Sequence, residues 1–290
     1  MRIDAHAHLW DSLHGMVNGK PVTALYGGKS DFGGNLRQMM PPYMVDGKNT
    51  AEMFLANMDY ARVHGAVITQ EAIDGNQDEY LLKAKAIAPE RFKICSLFEE
   101  GKETRLDGFD GVKIPAFRLK NNDLTLHMDL YREMDRRNMF LSLDLEDGAS
   151  QCAMVREISE EFPDLRIAIG HFGMITVPGW EEQFKLARRD NVRVESGGIT
   201  WLFHKEYYPY KGAVEAILRA ADICGMEKLM WGSDYPRTMT AITYLQSLDF
   251  VEKSSLLSEE QKKMFLGDNA EKFYGFSHMD DLPYVVNMVE

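Results

Sequence analysis

Arg2-Ile3-Asp4-Ala5-His6-Ala7-His8-Leu9-Trp10 is the stretch from which the rest of the chain is read. Its apolar alternation is that of a strand, and residues two apart on a strand share a face. His6 and His8 therefore point one way, Ala5 and Ala7 the other. The run ends in His-Ala-His-Leu-Trp. An open doubly wound sheet normally places a glycine-rich turn there, so that architecture is disfavoured.

Seven further short apolar runs follow, at Gly65–Thr69, Phe92–Phe98, Gly111–Phe117, Phe140–Leu145, Arg166–His171, Val192–Ser196 and Lys228–Asp234. Helical periodicity fills the gaps at Ala51–His64, Gln77–Ala88, Leu126–Asn138, Ser150–Glu161, Glu181–Asp190 and Gly212–Gly225. A C-terminal pair follows at Thr240–Ser254 and Glu259–Tyr274. Thr50 and Ser258 read as N-caps, Gly65 and Gly225 as residues just past helix ends, and Pro89, Pro163 and Pro209 as breakers. Eight strands in βα alternation within 290 residues predict an α/β fold, a distorted (β/α)8 TIM barrel forming one domain over 1–290. Two segments exceed the bare barrel. Asp11–Asn49 is a long connection with Gly27-Gly28, Gly33-Gly34 and Met39-Met40-Pro41-Pro42. Its place at the catalytic face suits a lid or substrate contact, and its apolar content equally suits contact between two copies in a homodimer. The tail Ser277–Glu290, beyond the extra helix, is apolar enough to dock on its own or a neighbouring subunit, or else frays.

The charge balance narrows the partners. With 33 Lys and Arg against 45 Asp and Glu the net charge is −12, which disfavours nucleic acid. The 45% hydrophobic and 27% charged content is that of a globular protein, excluding disordered or coiled-coil classes. Cys95, Cys152 and Cys224 are odd in number and far apart, which fits reduced, buried thiols and a cytoplasmic setting. No run approaches the roughly 20 apolar residues of a membrane span, and the polar start lacks a signal-peptide pattern.

Three strand ends carry chemistry. His6 and His8 share a face at the end of the first strand, Ile167-Ala168-Ile169-Gly170-His171 delivers a histidine on the sixth, and Trp231-Gly232-Ser233-Asp234-Tyr235-Pro236 delivers an aspartate on the eighth. The C-terminal face of a barrel holds the active site, so His6, His8, His171 and Asp234 form a candidate set for one divalent metal, zinc or manganese.

The segments IDAHAHLW, IGHFG, LMWGSDYPR and GDNAEKFYGF, in this order over nearly the whole chain, resemble the amidohydrolase superfamily. More narrowly they resemble the amidohydrolase-2 branch, with its pyrone-dicarboxylate and sugar-acid lactonases and non-oxidative decarboxylases. The resemblance implies a distorted barrel binding substrate, and often one metal, at the strand ends. His6 and His8 match its first-strand ligands, His171 its sixth-strand histidine and Asp234 its eighth-strand aspartate. Where many members have a fifth-strand histidine, this chain reads Leu143-Asp144-Leu145-Glu146. Asp144 or Glu146 takes that ligand's place, or the position has no metal role. Some similar lactonases work without a metal. Lys113 sits where binuclear members carry a carboxylated lysine; here it reads as an anion-binding or second-layer group, or as an ion-paired interior lysine.

Asp234 and His171 are the expected catalytic residues: Asp234 takes a proton from water and returns it to the leaving group, and His171 polarises the carbonyl or orients the water. Without a metal, the three histidines would form an imidazole cluster that stabilises the oxyanion. Lys113, Arg118 and Arg237 are placed to hold the carboxylate of a small anionic substrate, Trp10, Trp201 and Tyr235 to wall its ring, and Glu195 to bond hydroxyls. A hydrolase opening a lactone of a small carboxylated or sugar-derived compound is the first expectation. The alternative is a metal-dependent decarboxylase of an aromatic or unsaturated acid; amide hydrolysis and a binding protein without chemistry stand behind these.

Overall fold

The computed structural model describes residues 1–289; Glu290, the last residue of the expected tail, lies outside them. Eight parallel strands form the barrel: β1 (Ile3–His8), β6 (Gly65–Thr69), β7 (Phe92–Leu97), β8 (Gly111–Pro115), β9 (Phe140–Asp144), β10 (Arg166–Ile169), β11 (Val192–Glu195) and β12 (Leu229–Met230). They pair in that order, and the seam between the last and first closes through backbone bonds. The Ala5 N–H donates to the Trp231 carbonyl at 2.9 Å, and the His8 N–H to the Tyr235 carbonyl at 2.8 Å. The expected strands are all present, but His171 and Asp234 fall in the turns just past β10 and β12 rather than on them.

Strand parity does not run unbroken through β1. Its register against β6 shifts between Asp4 and Ala7. Ile3 and Ala5 therefore pack inside the barrel with Val67, Cys95 and Met230, whereas Ala7 and Leu9 join the layer between sheet and helices. The expectation that Ala5 and Ala7 share a face is corrected by this shift, which turns His6 and His8 inward above the apolar floor. Phe273 and Tyr274, on α10 (Asn269–Tyr274), close the N-terminal mouth beneath that floor.

The helices follow their expected spans with earlier ends. The first, α1 (Ala51–Ala61), starts at Thr50, whose hydroxyl accepts the Met53 N–H. It stops at Arg62 in the left-handed region, so Gly65 opens β6 rather than ending the helix. Next come α2 (Asp78–Ile87), α3 (Met128–Arg136), α4 (Cys152–Glu161) and α5 (Glu181–Leu186). A short α6 (Ile199–Leu202), which apolar periodicity does not signal, precedes α7 (Lys211–Cys224) and α8 (Gln246–Glu252). The predicted helix Glu259–Tyr274 splits into α9 (Glu259–Lys263), a π-turn over Met264–Asp268, and α10. That wide turn leaves the Phe265 carbonyl to accept the Trp231 N–H at 2.8 Å.

The connection 11–49 is not a loop. It folds as an antiparallel meander of β2 (Met16–Val17), β3 (Lys20–Leu25), β4 (Lys29–Phe32) and β5 (Leu36–Gln38). Asn18 and Gly19, both at positive φ, form the two-residue turn between β2 and β3. The glycine pairs at 27–28 and 33–34 occupy the next two turns. Trp10, Met39, Met40 and Met44 form a buried cluster that pins the meander to the barrel. The tail docks on its own chain: the Leu282 carbonyl accepts from Arg62 Nε at 3.1 Å and Asn287 Nδ2 donates to the Tyr60 hydroxyl at 2.9 Å. All three cysteines are free and buried, as expected, and no helix among the described residues is long and apolar enough to cross a membrane.

Asp4 ties the seam together. Its carboxylate accepts from the His6 N–H at 3.1 Å, the Ser233 N–H at 2.9 Å, the Ser233 hydroxyl at 2.5 Å and the Tyr244 hydroxyl at 2.9 Å, all buried. Asp4→Ala strands these donors, each unsatisfied buried group costing about 1–3 kcal/mol. The variant is expected to lower the unfolding free energy by at least about 2 kcal/mol, read from urea denaturation of both proteins.

Candidate active site

His6, His8 and Asp234 converge at the top of the seam. Nε2 of His6 lies 3.0 Å from Nε2 of His8, and His8 Nε2 lies 3.1 Å from Asp234 Oδ1. The third edge, His6 Nε2 to Asp234 Oδ1, is 3.9 Å. A four-coordinate ion with bonds of about 2.0–2.1 Å sets its ligand atoms about 3.3 Å apart, so this triangle has the size of one face of such a site. The outer nitrogen of each imidazole is backed by a carboxylate. His6 Nδ1 is 2.7 Å from Glu195 Oε1, and His8 Nδ1, without a hydrogen bond, is 3.6 Å from Asp74 Oδ2. In the tautomer that donates from Nδ1 to Glu195, His6 turns its Nε2 lone pair to the cluster.

Charges keep these groups in usable states. Burial, reinforced by the Arg237 charge, pushes the His8 pKa well below its ordinary value, so the ring is neutral at neutral pH. Burial pushes the Asp234 carboxyl up, but the His8 hydrogen bond and the Arg237 charge outweigh it and hold it below the usual range. Asp234 Oδ2 accepts the Trp201 indole N–H at 3.0 Å, which leaves Oδ1 turned to the histidines. Arg237 grips both Asp74 oxygens through Nη2, at 2.7 and 2.8 Å, and lies 3.5 Å from Asp234 through Nη1.

His171 stands apart from the triangle. Its ring is 4.8 Å from that of His6, but Nδ1 faces the Gly197 carbonyl at 2.9 Å and Nε2 faces Asp144 Oδ2 at 3.4 Å. Neither nitrogen is aimed at the groups it was expected to join as a ligand. Burial pushes its pKa down, but the Asp144 charge and hydrogen bond prevail and raise it to about 10, so His171 is a fixed cation. Asp144 in turn takes Lys113 Nζ at 2.5 Å. Burial pushes the Asp144 carboxyl up, yet Lys113 and His171 outweigh it and hold it well below the carboxylate range.

The histidines share their floor with glycines because nothing larger fits. A Cβ on Gly170 would stand 2.1 Å from Asp144 Oδ1, one on Gly197 2.7 Å from His6 Nδ1, and one on Gly232 2.8 Å from His6 Cβ. Above the floor opens a cavity of about 1200 Å³. Its wall includes His8, His171, Asp234, Trp201, Arg118 and Arg237. Three residues expected to touch substrate do not reach it. Lys113 is 0% exposed in its ion pair with Asp144, which fits the reading of an interior lysine. Trp10 packs in the methionine cluster, and Tyr235 stacks on Phe54 at 4.4 Å. Arg118 is on the wall, its Nε bound to Glu71 at 2.8 Å. Asp144 and Glu146 line the cavity, but Asp144 is committed to Lys113 and Glu146 bonds Asn122 and Ser150. Glu195, expected to bond hydroxyls, backs His6 instead. Asp74 and Arg37 escaped the sequence reading; Asp74 lies just past the end of β6, the position that should have flagged it.

The chain matches the amidohydrolase family (Amidohydro_2) over residues 3–276 and belongs to it. It is an enzyme of that family on a (β/α)8 barrel. No curated protein matches the chain. Among solved structures it is similar to a candidate 2-pyrone-4,6-dicarboxylic acid hydrolase of Pseudomonas putida, 21% identical, covering 96% of this chain and 98% of that one with a TM-score of 0.71. A candidate hydrolase of the same name from Acinetobacter baumannii, solved with citric acid bound, is 18% identical at TM-score 0.68, covering 95% and 99%. A Burkholderia multivorans amidohydrolase with bound zinc is 15% identical at TM-score 0.69, covering 96% and 100%. At these identities the likeness establishes the fold.

Glu195→Gln keeps the shape but removes the charge behind His6. Partners in this position typically contribute 10- to 100-fold to metal affinity. The variant is expected to lose about tenfold in zinc affinity with unchanged far-UV circular dichroism, measured by competition with a chromophoric chelator.

Proposed function

We propose that the enzyme is a hydrolase that opens a lactone, or related cyclic ester, of a small carboxylated or sugar-derived compound. The observation that carries this reading is the convergence of His6 Nε2, His8 Nε2 and ionised Asp234 at the base of an open cavity. A carboxylate fixed beside two imidazoles, His8 among them held neutral by burial and Arg237, is the arrangement that accepts a proton from attacking water. The same three atoms would hold one divalent cation, zinc or manganese, which when bound polarises the ester carbonyl and acidifies water.

The chain's own groups do the rest. Asp234 Oδ1 takes the water proton, while the Trp201 indole fixes the other oxygen and stops the carboxylate from rotating. Arg237 sits beside it and keeps it ionised until the proton arrives. His171, positive and anchored by Asp144 and Gly197, supplies a fixed charge near the floor for an oxyanion. The proton on Asp234 then passes to the leaving alkoxide or enolate. Arg118 holds a substrate carboxylate through the guanidinium nitrogens that Glu71 leaves free.

Purified protein is expected to release acid from 2-pyrone-4,6-dicarboxylate or a sugar lactone in a pH-indicator assay, and not carbon dioxide from 2,6-dihydroxybenzoate. The opposite pattern makes it a decarboxylase. Asp234→Asn should lower kcat at least about 100-fold, the usual contribution of a general base, without change in melting temperature. Full turnover by the folded variant refutes the role. Chelation of divalent ions should abolish activity and added zinc or manganese restore it; activity that survives chelation favours the imidazole cluster acting alone.

A further inference from the structure

Three arginines line the cavity, Arg37, Arg118 and Arg237. Arg118 is paired with Glu71 and Arg237 with Asp74 and Asp234. Among the described residues Arg37 alone of the three has no carboxylate partner. Its position is set by strand register. Arg37 on β5 pairs with Ser30 on β4, and Ser30 with Ala24 on β3; Phe32, two residues on from Ser30, pairs with Val22. Paired residues share a face, so Arg37, Phe32, Ser30 and Val22 lie on one side of the meander. Val22 and Ser30 are buried, which makes this the side turned to the barrel, and Phe32 and Met39 are on the cavity wall with Arg37. Arg37 itself is exposed, at the rim of the cavity, and Leu36, on the opposite side, is 65% exposed. The Arg37 guanidinium lies 6.0 Å from the Phe32 ring centroid, at the outer reach of a cation–π contact that would steady it.

We infer that Arg37 is a specificity residue: it binds a carboxylate at the end of the substrate remote from the reacting ester. The inference rests on the proposed lactone chemistry and narrows its substrate to a lactone acid. The cavity's size supports it. A volume of about 1200 Å³ exceeds the roughly 300–1000 Å³ of a typical small-molecule site, so a small ring on the histidine floor leaves the upper wall uncontacted. A substituent reaching toward the meander closes that gap. An unpaired arginine in a chain of net charge −12 is the group there that an anion would seek. Arg37 touches none of the floor groups, so its effect falls on binding and not on the proton transfers.

The test is a binding ratio that needs no turnover. Isophthalate carries two carboxylates, one to stand in for the reacting carbonyl and one for Arg37; benzoate carries one. The dissociation constants of both are measured by calorimetry on the metal-loaded wild type, Arg37→Ala and Arg37→Lys. Wild type is expected to favour isophthalate at least about tenfold, Arg37→Ala a ratio at least about threefold smaller because only Arg118 remains to take the second carboxylate, and Arg37→Lys an intermediate ratio, since lysine offers a point charge in place of a fork. A ratio unchanged by Arg37→Ala overturns the assignment, as does a wild-type ratio of one. With a lactone acid as substrate, Arg37→Ala should raise KM and leave kcat within about twofold, while an uncharged lactone shows no change in either. A ratio that collapses in an enzyme hydrolysing no lactone refutes the proposed function and upholds the anion site.

Discussion

The Asp4 carboxylate is the interaction on which the site depends. A parallel barrel must join its last strand to its first, and here β12 is two residues long, too short to hold the seam by ladder bonds alone. Asp4 makes up the shortfall by gathering four donors from both sides, two of them on Ser233. The residue beside Ser233 is Asp234, and two residues beyond Asp4 is His6. Seam and site are thus one piece of backbone. Burial raises the Asp4 pKa to about 6 against the pull of those donors, because water does not reach the carboxylate to stabilise its charge.

A second regularity organises the chemistry. Each histidine has a carboxylate from a different strand end behind it: Glu195 behind His6, Asp74 behind His8, Asp144 behind His171. Two of the carboxylates have their own cation, Lys113 for Asp144 and Arg237 for Asp74. The pairing differentiates three similar rings. His8 stays neutral because burial, reinforced by Arg237, disfavours a proton on it, whereas His171 is charged because the Asp144 charge outweighs burial there. A buried charge is costly unless it is paired, which accounts for the number of acidic and basic groups gathered at the end of an otherwise apolar barrel.

Much of this was legible in the sequence, and what was not has physical causes. The eight strands showed themselves because both faces of a barrel strand are covered, which writes nearly continuous apolar runs. His6, His8 and Asp234 were legible because polar residues interrupt those runs at their ends. Lys113 stayed open between two readings for the same reason: a lysine in a strand looks alike from the sequence whether it faces substrate or an aspartate 31 residues away. Trp10 and Tyr235 sit beside functional positions, yet the meander and Phe54 cover them. The meander was hidden because its strands are two to six residues long and bury one face only. Asn18-Gly19 carried the hairpin signal, but without flanking apolar alternation it read as part of one long connection.

The ends of the meander meet. Trp10 and Asn49 bridge each other through both backbone bonds, at 2.9 and 3.0 Å, so the 38 residues between them leave and return to the barrel at nearly one point. A segment attached in this way is topologically a cassette. Substitutions on its inward face can therefore alter the cavity wall while the Trp10–Asn49 bridge keeps the ends of β1 and α1 where they are. The groups that do the chemistry and part of the wall that meets the substrate thus lie in separate stretches of the chain.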